Sequence, residues 1–597
     1  MAKSISELKS SRLVKVSVCF AVIAFLSVFY GLAIYNTPAT DAKVKATDFN
    51  AGRIIDDEVF YDANTMTAEE IQAFLDEKLP TCDMWGTGSS AGRVVNETGY
   101  VMPAGSTNAD YARLRAAAGN TRYHEPPYVC VNKYYENPET HETLYDTNGI
   151  VKEGMISAAQ IIYNEAQKYS INPQVLLVLI KKESYIWGDT WPLKWEYNSV
   201  MGYGCPDTAP CDSTYYGFYN QVHMAAYQFD RYKQKNYEYN YHPGMVNTIY
   251  YSPNYSCGTK QVYIENMATA SLYIYTPYTP NDAALQNYPG TSYCGSYGNR
   301  NFFMYFSEWF GDPHVPLGAK KIETRYEELG GEDGVLGKKV SETANCSIGH
   351  ENACVQQFEN GVIIYSPEHG AWENYGEIRN KFIELHSVDG TLGFPTGPMN
   401  CLIGHEGACV QQFEKGVIIY SPEHGAWENY GEIRNKFIEL HSVDGTLGFP
   451  TGPMNCSIGH ENACVQQFEN GVIIYSPEHG AWENYGEIRN KFIELRSVDG
   501  ILGFPTGPMN CLIGHEGACV QQFEKGVIIY SPEHGAWENY GGIRNKFLEL
   551  RSVNGEFGFP TGSVKPSAYV NNVSYQTYEH GIIYWNKDTG LTWGIKN

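Results

Sequence analysis

The string LGFPTGPMNC occupies residues 392–401 and returns unchanged at 447–456 and 502–511, with a period of 55 residues. A shortened copy, FGFPTG, begins at Phe557, and a divergent one, LGKKVSETANC, begins at Leu336. Self-similarity at a fixed period is typical of tandem repeats that stack one structural unit on the next. The sequence therefore predicts five repeat units over residues 315–597. Their motif residues are Leu392, Gly393, Phe394, Pro395, Leu447, Gly448, Phe449, Pro450, Leu502, Gly503, Phe504 and Pro505.

Each unit shows the same internal order of a helix, the motif turn and a hairpin. In YGEIRNKFIEL, Ile378, Phe382 and Leu385 fall on one helical face. Asn374 and Glu377 match a capping box at the start of this helix. The hairpin is predicted over 355–365 with its turn at residues 360–361, because an Asn-Gly pair between apolar runs favours a tight turn.

Fourteen of the 15 cysteines lie outside the N-terminal apolar segment, and eight of these form four C-x7-C pairs. His350 lies between Cys346 and Cys354, but three ligands are too few for a closed zinc site, so we expect disulfides and neither a metal nor a cofactor. The expected pairs are Cys346–Cys354, Cys401–Cys409, Cys456–Cys464, Cys511–Cys519, Cys205–Cys211, Cys82–Cys130 and Cys257–Cys294.

The N-terminus predicts export. Four basic residues precede Val16–Tyr35, which is 20 uncharged and mostly apolar residues. Residues 1–35 are therefore interpreted as a cytoplasmic N-terminus with a transmembrane anchor, or as a cleaved signal peptide, followed by a linker over 36–50. The net charge of −24 and the absence of a long basic run argue against a nucleic-acid partner. The 47 tyrosines favour a carbohydrate ligand.

Within residues 51–314, the segment INPQVLLVLIKKESYIWGDTW carries the candidate chemistry. Asn172 and Pro173 predict a helix start, and the apolar run 175–180 predicts burial on all sides. Glu183 ends this helix beside aromatic residues, and loss of hydration there would raise the pKa of its carboxyl and suit it to general acid catalysis. The alternative is a solvated glutamate beside Lys181 and Lys182.

The repeated motif and its flanking context resemble the LGFP repeats that accompany mycolyltransferases, amidases and other envelope proteins of actinobacteria. The resemblance covers about residues 317–597 and implies association with the cell wall. It also implies a propeller-like closed ring of five units. The sequence alone does not show that the ring closes, so an open solenoid is the alternative. The recurring Trp372, Trp427, Trp482 and Trp537 are either core residues or sugar-stacking platforms.

The order of segments after Glu183 resembles the lysozyme-like superfamily of lytic transglycosylases and goose-type lysozymes. NSVMGYGCPD (198–207) and ATASLYIYTPYTPND (268–282) follow it, although the glutamine of the second family motif is absent. The resemblance implies that Glu183 is the catalytic acid and that substrate is bound by Tyr185, Met201, Gly202 and Tyr273 or Tyr275. Asp189, Asp207 and Asp212 are candidates for a second carboxylate in a hydrolase, and spacing selects none of them. Residues 54–313 also resemble actinobacterial proteins labelled hemagglutinin-like.

The predicted fold is multidomain α+β. It has an N-terminal transmembrane helix, a mainly α lysozyme-like domain over 51–314, and a β-rich, propeller-like domain of five repeats over 315–597. The expected function is a membrane-anchored or secreted, wall-associated enzyme of lytic transglycosylase or muramidase type that cleaves peptidoglycan. The alternative is a non-catalytic wall-binding protein or adhesin. A metal-dependent hydrolase ranks last because no H-E-x-x-H or dense ligand cluster occurs.

Overall fold

The computed structural model describes residues 44–206, 210–341, 344–346, 348–350, 352–403, 406–458 and 462–597. The chain divides into two compact units, one ending at His314 and the other beginning at Val315. The predicted membrane or signal segment lies outside the described residues. Among the helices that are described, none has the length and apolarity needed to cross a bilayer.

The first unit is mainly helical. Its helices are α1 (Asp57–Phe60), α2 (Ala68–Lys78), α3 (Asn108–Ala117), α4 (Ala158–Tyr169), α5 (Pro173–Glu183), α6 (Phe218–Gln234), α7 (Met267–Tyr275), α8 (Asp282–Gln286) and α9 (Gly298–Phe310). Three short antiparallel pairs accompany them: β1 (Val94–Val95) with β2 (Tyr100–Val101), β3 (Tyr135–Glu136) with β4 (Ile156–Ser157), and β5 (Met245–Tyr250) with β6 (Thr259–Ile264).

Helix α5 is the centre of the first core. The side chain of Asn172 accepts from the backbone N–H of Gln174, and Pro173 occupies the first turn, so the predicted helix start is confirmed. All six residues of 175–180 are fully buried, as predicted, because α5 packs against both α4 and α9. Because α5 is packed on all sides, the position of its last residue, Glu183, is fixed by the core.

The linker predicted over 36–50 is wrong in its second half. Residues Ala46–Asp48 form a short 3-10 turn, and Ala46 and Phe49 are buried in the core of the first unit. The Phe49 ring meets the Phe303 ring edge-on with their centroids 5.7 Å apart. The folded unit therefore begins before residue 51, because this aromatic anchor buries apolar surface that a solvated linker would expose.

All seven expected disulfides are confirmed. In the first unit they join Cys82 to Cys130, Cys205 to Cys211 and Cys257 to Cys294, and in the second they join the four C-x7-C pairs. Cross-links of this kind persist in oxidising compartments. They therefore agree with an extracytoplasmic location.

In the described part of the second unit there are five separate antiparallel sheets and five helices. The strands are β7 (Cys354–Phe358), β8 (Gly361–Ser366), β9 (Gly370–Tyr375), β10 (Cys409–Phe413), β11 (Gly416–Ser421), β12 (Gly425–Tyr430), β13 (Cys464–Phe468), β14 (Gly471–Ser476), β15 (Gly480–Tyr485), β16 (Cys519–Phe523), β17 (Gly526–Ser531), β18 (Gly535–Tyr540), β19 (Lys565–Pro566), β20 (Val573–Tyr578), β21 (Gly581–Asn586) and β22 (Thr592–Lys596). The helices are α10 (Leu317–Glu328), α11 (Gly376–Glu384), α12 (Gly431–Glu439), α13 (Gly486–Glu494) and α14 (Gly541–Glu549).

Each of the first four sheets has one strand more than the predicted hairpin. The predicted turn joins β7 to β8, but β9 then adds to the same sheet, with Ile364 opposite Trp372. Asn374 lies in β9 and donates its side-chain amide to Gln411, so the capping box assigned to it is wrong. The helix begins instead at Gly376 without a side-chain cap, because the buried amide is used in a contact between units.

Each helix α11–α14 packs against its own sheet and the next sheet along the chain. One core accordingly combines Ile364, Phe382, Leu392 and Phe413, which come from two successive units. A unit therefore cannot bury its apolar face alone, as expected for tandem repeats. The predicted closed ring is not detected among the described residues, where each helix α11–α14 packs against two sheets that follow one another along the chain.

Candidate functional site

Glu183, the last residue of α5, has a side chain that is 28% exposed. The buried Lys182 places its Nζ 2.8 Å from Glu183 Oε1 and 2.7 Å from Thr276 Oγ1. The predicted aromatic enclosure of Glu183 is wrong: Tyr185 is 93% exposed, and Trp187 packs inside the core against Trp309. The carboxylate instead has an ammonium group as its neighbour.

A glycine turn brings the second family-like segment to the same carboxylate. Gly202 has φ of +68°, and a Cβ built on it would lie 3.3 Å from Glu183 Oε2. Because glycine adopts this conformation without strain and adds no side chain, the backbone can approach the carboxylate closely. Met201 is fully buried, so its backbone rather than an exposed side chain contributes to the site.

Gln221, which the sequence analysis did not identify, holds this turn in place. It is fully buried on α6, and its Oε1 accepts from the backbone N–H groups of Met201 and Tyr203, each at 3.2 Å. Its Nε2 donates to the carbonyls of Tyr203 at 2.9 Å and Tyr215 at 2.8 Å. The sequence feature that could have identified Gln221 is its position as a polar residue on the apolar helix face formed by Phe218 and Val222.

The structure distinguishes the two tyrosines of α7. Tyr275 donates its hydroxyl to the carbonyl of Met201, whereas Tyr273 donates to the carbonyl of Ala51 at 3.0 Å, in the core. Burial, and secondarily the charge of Glu183, raises the pKa of Tyr275 well above its usual value, so the phenol stays protonated and acts as a donor. Tyr275, and not Tyr273, therefore belongs with Glu183, Met201 and Gly202.

If Glu183 is the catalytic acid that the resemblance implies, replacing Tyr275 by Phe should lower glycan cleavage about tenfold, because the turn beside Glu183 loses a buried hydrogen bond worth roughly 1 kcal/mol and shifts. The matched control is Tyr273→Phe, which also removes a buried bond from a phenol to a carbonyl but lies in the core. Both variants should lose similar thermal stability, and only Tyr275→Phe should lose activity in a sacculus digestion assay. Equal activity losses would contradict the assignment.

The candidate second carboxylates have structural partners. Asp189 Oδ1 accepts from the backbone N–H of Trp191 at 2.9 Å, and burial raises the pKa of this carboxyl. Asp212 accepts from the backbone N–H of Thr214 at 3.0 Å, and this bond holds the pKa of Asp212 below its usual value. Asp207 lies outside the described residues. Asp189 and Asp212 therefore each bind the backbone of their own loop.

Glu196 gives the first unit a predicted pH dependence. Its Oε2 accepts from the backbone N–H of Leu193, and burial, aided by the charge of Asp189, raises the pKa of its carboxyl from 4.5 to about 7. Between these values the folded chain binds more protons than the unfolded chain, so this contribution to stability is present at low pH and is lost as pH rises through the window. In the parent chain the free energy of unfolding should therefore fall between pH 5 and pH 8, and the melting temperature with it. Glu196→Gln should make this fall smaller, by on the order of 1–2 kcal/mol of unfolding free energy. The exposed Glu153→Gln should leave the profile unchanged in a calorimetric pH series.

The repeat motif residues form core and turn, not a binding surface. Leu392, Leu447 and Leu502 are fully buried, and each following phenylalanine is at most 8% exposed. Gly448 has φ of +71°, and a Cβ there would overlap Glu469 Oε2. Pro450 forms a β-bridge with Phe468 of the next sheet. The motif therefore joins one helix to the following sheet.

The recurring tryptophans lie between successive units. Trp427, Trp482 and Trp537 are half-buried, and the Nζ of the lysine from the preceding helix lies over each ring, 4.5–4.7 Å from its centroid. The indole Nε1 of Trp427 donates to the carbonyl of His424 at 2.6 Å. These tryptophans are thus neither fully buried core residues nor free sugar platforms.

Three groups of side chains in the second unit have metal-ligand chemistry among the described residues. In each, a His Nε2 atom and two carboxylate oxygens lie within 4.8 Å of one another: Glu368, His369 and Glu414; Glu478, His479 and Glu524; and Glu533, His534 and Glu579. Each pairs a histidine with a glutamate 45 residues later, so the contact links adjacent units whether or not a cation is bound. The cysteines of the C-x3-H-x4-C pattern are disulfide-bonded and offer no thiolate.

The model of the LGFP repeat matches residues 340–390, 392–445, 447–500 and 502–555. The chain therefore carries four LGFP repeats, and the sheet β19–β22 follows them. No curated protein matches the chain. Repeats of this kind, with the disulfides, suggest an extracytoplasmic location in association with the cell wall or envelope.

Two solved structures show only remote likeness. One is the extracellular domain of a protein described as a hybrid two-component system from B. thetaiotaomicron, with 13% identity, a TM-score of 0.09, and coverage of 42% of this chain and 29% of that chain. The other is the extracellular domain of a protein described as a one-component system from the same organism, with 11% identity, a TM-score of 0.10, and coverage of 42% and 35%. This chain spans about a third of their length, and scores this low support no argument about fold.

Proposed function

We propose that this protein is an envelope enzyme that cleaves the glycan strands of peptidoglycan, with Glu183 as the catalytic acid and the LGFP repeats as the wall-targeting part. The strongest support for this proposal is that separate segments of the chain meet at one carboxylate. Glu183, the Met201–Gly202 turn and Tyr275 come from three segments far apart in sequence and meet at one partly exposed carboxylate. These segments occur in the order that a lysozyme-like enzyme requires.

The two oxygens of Glu183 have different neighbours, which suggests separate roles. Oε1 accepts from Lys182 Nζ, whereas Oε2 is the oxygen nearest Gly202. A proton carried on Oε2 would pass to the glycosidic oxygen as the bond from that oxygen to C1 breaks. In a transglycosylase the same oxygen would then take the proton of the muramyl 6-hydroxyl as that hydroxyl closes on C1. This sequence needs one carboxylate, which agrees with the structural roles of Asp189 and Asp212.

Lys182 supports a second candidate, a non-catalytic wall-binding protein or adhesin. An ammonium 2.8 Å from the only assigned acid could serve to fix the end of α5 as a structural ion pair. The first unit would then hold glycan at the same carboxylate without cleaving it. The two functions differ in product formation and not in wall association.

Digestion of purified actinobacterial sacculi by the full chain tests this proposal. A transglycosylase releases 1,6-anhydromuramyl products, whereas a muramidase releases fragments with new reducing ends. Co-sedimentation with the same sacculi at physiological salt measures wall association separately. Pelleting without released fragments would establish the binding protein, and failure to pellet would remove the targeting role of the repeats.

A further inference from the structure

Three aromatic side chains form a row across the last sheet, β19–β22. Tyr575 on β20 lies directly opposite Tyr584 on β21, which in turn lies opposite Trp593 on β22. The ring centroids of Tyr575 and Tyr584 are 5.9 Å apart, and those of Tyr584 and Trp593 are 5.3 Å apart. All three side chains are partly exposed. We call this row the Trp593 face.

The corresponding row is covered in the four preceding sheets. In the first of them it consists of Val355, Ile364 and Trp372, and Ile364 is 5% exposed. Ile364 shares a core with Phe382 of helix α11, which follows its sheet in the chain. In the last sheet the described helix is α14, which packs on the opposite face, where Ile583 is fully buried. None of the described helices therefore covers the Trp593 face.

Trp593 also lacks the cation that lies over the other recurring tryptophans. The guanidinium carbon of Arg325 lies 5.2 Å from the ring centroid of Trp372, and a lysine lies over each of the next three tryptophans. The indole Nε1 of Trp537 donates to the carbonyl of His534 at 2.6 Å. Among the described residues, no cation lies over the Trp593 ring and no carbonyl accepts from its Nε1.

A glycine explains the absent cation. In the fourth sheet the buried Glu538 places its Oε2 3.3 Å from Lys491 Nζ, which holds that lysine over the tryptophan of the same sheet. In the last sheet the paired position is Gly594, which has no carboxylate. Lys546, the counterpart of Lys491, keeps an ion pair within its own helix, at 3.0 Å. The loss of one carboxylate thus leaves the Trp593 ring uncovered.

The residues of the row indicate what the open face binds. The four preceding sheets carry valine and isoleucine where this sheet carries Tyr575 and Tyr584. A face that receives a repeat helix would keep the aliphatic pair, because that pair packs under such a helix in all four copies. A face that only contacts solvent would carry polar residues, as terminal repeats do. Two tyrosines and a tryptophan instead combine apolar ring surface with polar groups, which is the combination that a sugar ring matches.

The surroundings of the row favour an uncharged ligand. Tyr584 and Trp593 have no charged residue opposite them, and Lys565 lies at the other end of the row, opposite Tyr575. Neither phenol hydroxyl forms a hydrogen bond with another described residue, so both are available to sugar hydroxyls. Because β22 is an edge strand, no further strand lies beyond Trp593 in this sheet.

We infer that the Trp593 face binds an uncharged sugar chain of the envelope. One sugar ring would pack its C–H face against the Trp593 indole, and hydroxyls of the chain would form hydrogen bonds with the phenols of Tyr584 and Tyr575. The inference rests on the wall association proposed above and identifies the part of the second unit that makes it. It does not depend on Glu183.

Ligand-observed NMR on the full chain tests the inference with triacetylchitotriose and cellotriose, which are uncharged trisaccharides. At least one of them should bind at millimolar concentration. Its affinity should change less than about twofold when the salt concentration is raised, because salt screens only contacts between charges. If neither trisaccharide binds, or if the affinity falls about tenfold in high salt, the inference is wrong.

Two variants locate the binding site. Trp593→Ala should weaken trisaccharide binding about tenfold, whereas Trp537→Ala, at the same position one unit earlier, should leave it within about twofold, because Lys491 already covers that ring. The double variant Tyr575→Val, Tyr584→Ile restores the residues of the four preceding sheets, so it should fold normally. It should also weaken binding about tenfold. Undiminished binding by both Trp593→Ala and the double variant would overturn the inference.

Co-sedimentation of the full chain with sacculi separates this inference from the proposed function. Pelleting without any trisaccharide binding would overturn only the inference about the Trp593 face. Trisaccharide binding that Trp593→Ala abolishes, without pelleting of the parent chain, would overturn only wall association. A trisaccharide bound at Glu183 would be unaffected by these variants, so the loss relative to the parent chain reports binding at the last sheet.

Discussion

Glu183→Gln should reduce release of muropeptides from sacculi by about 10³-fold, because a positioned general acid contributes on the order of 10²–10⁴ to such reactions. The amide keeps the size of the side chain and can still accept from Lys182, so the end of α5 should remain intact. The measurement is the initial rate of fragment release, with circular dichroism and the melting temperature as checks of the fold. The loss should appear in the rate of cleavage and not in co-sedimentation.

The matched control is Glu69→Gln, an exposed glutamate in the first turn of α2, distant in sequence from Glu183, the turn at Gly202 and Tyr275. Its rate should stay within about twofold of the parent chain, since a surface substitution of this kind changes stability by less than about 0.5 kcal/mol. If Glu183→Gln digests sacculi as fast as this control does, Glu183 is not the catalytic acid. The ion pair with Lys182 would then be a structural feature of the helix end.

Gly448→Ala should destabilise the third LGFP repeat by roughly 2–3 kcal/mol. The residue has φ of +71°, and an added Cβ would displace Glu469 Oε2. Glu469 cannot move freely, because its other oxygen lies 2.9 Å from His424 Nε2 of the neighbouring unit. The free-energy costs of the strained backbone and of the broken contact between units should therefore add together.

Hydrogen exchange of the amides in β13–β15 measures this effect, since local unfolding of one repeat is not a single global transition. The control lies in the same motif. Gly452 does not have a positive φ, and a Cβ there would meet only Gln467 Cβ, at 4.0 Å. Gly452→Ala should leave exchange in these strands within about threefold of the parent chain. Equal protection in both variants would show that the glycine of the motif is not required by its conformation.

Local features of the sequence predicted local structure well. Asn172 and Pro173 begin α5 as predicted, because caps depend on residues within one turn of helix. The short C-x7-C spacing likewise predicted the four disulfides of the second unit. The capping box at Asn374 failed for the opposite reason, since a partner 37 residues away in the next unit binds that amide.

The candidate site was predicted only in part. Glu183 and Gly202 were found through motif order, but Gln221 was missed because it has no motif and reaches the turn from another helix. The alternative of a solvated helix end beside Lys181 and Lys182 does not hold for Lys182, because the structure buries its side chain beside Thr276. Spacing could not choose between Tyr273 and Tyr275, since the two lie on one helix and differ only in what packs against each face.

By itself the sequence determined the repeat period, the four C-x7-C disulfides and the helix that carries Glu183, because each depends on residues close together in the chain. Only the tertiary structure decided that the LGFP motif is core and turn and that Tyr275 lies beside the turn at Glu183. The physical reason is that burial and pairing depend on neighbours from distant segments. The residues of a motif therefore do not by themselves determine whether they lie in a core, a turn or a binding surface.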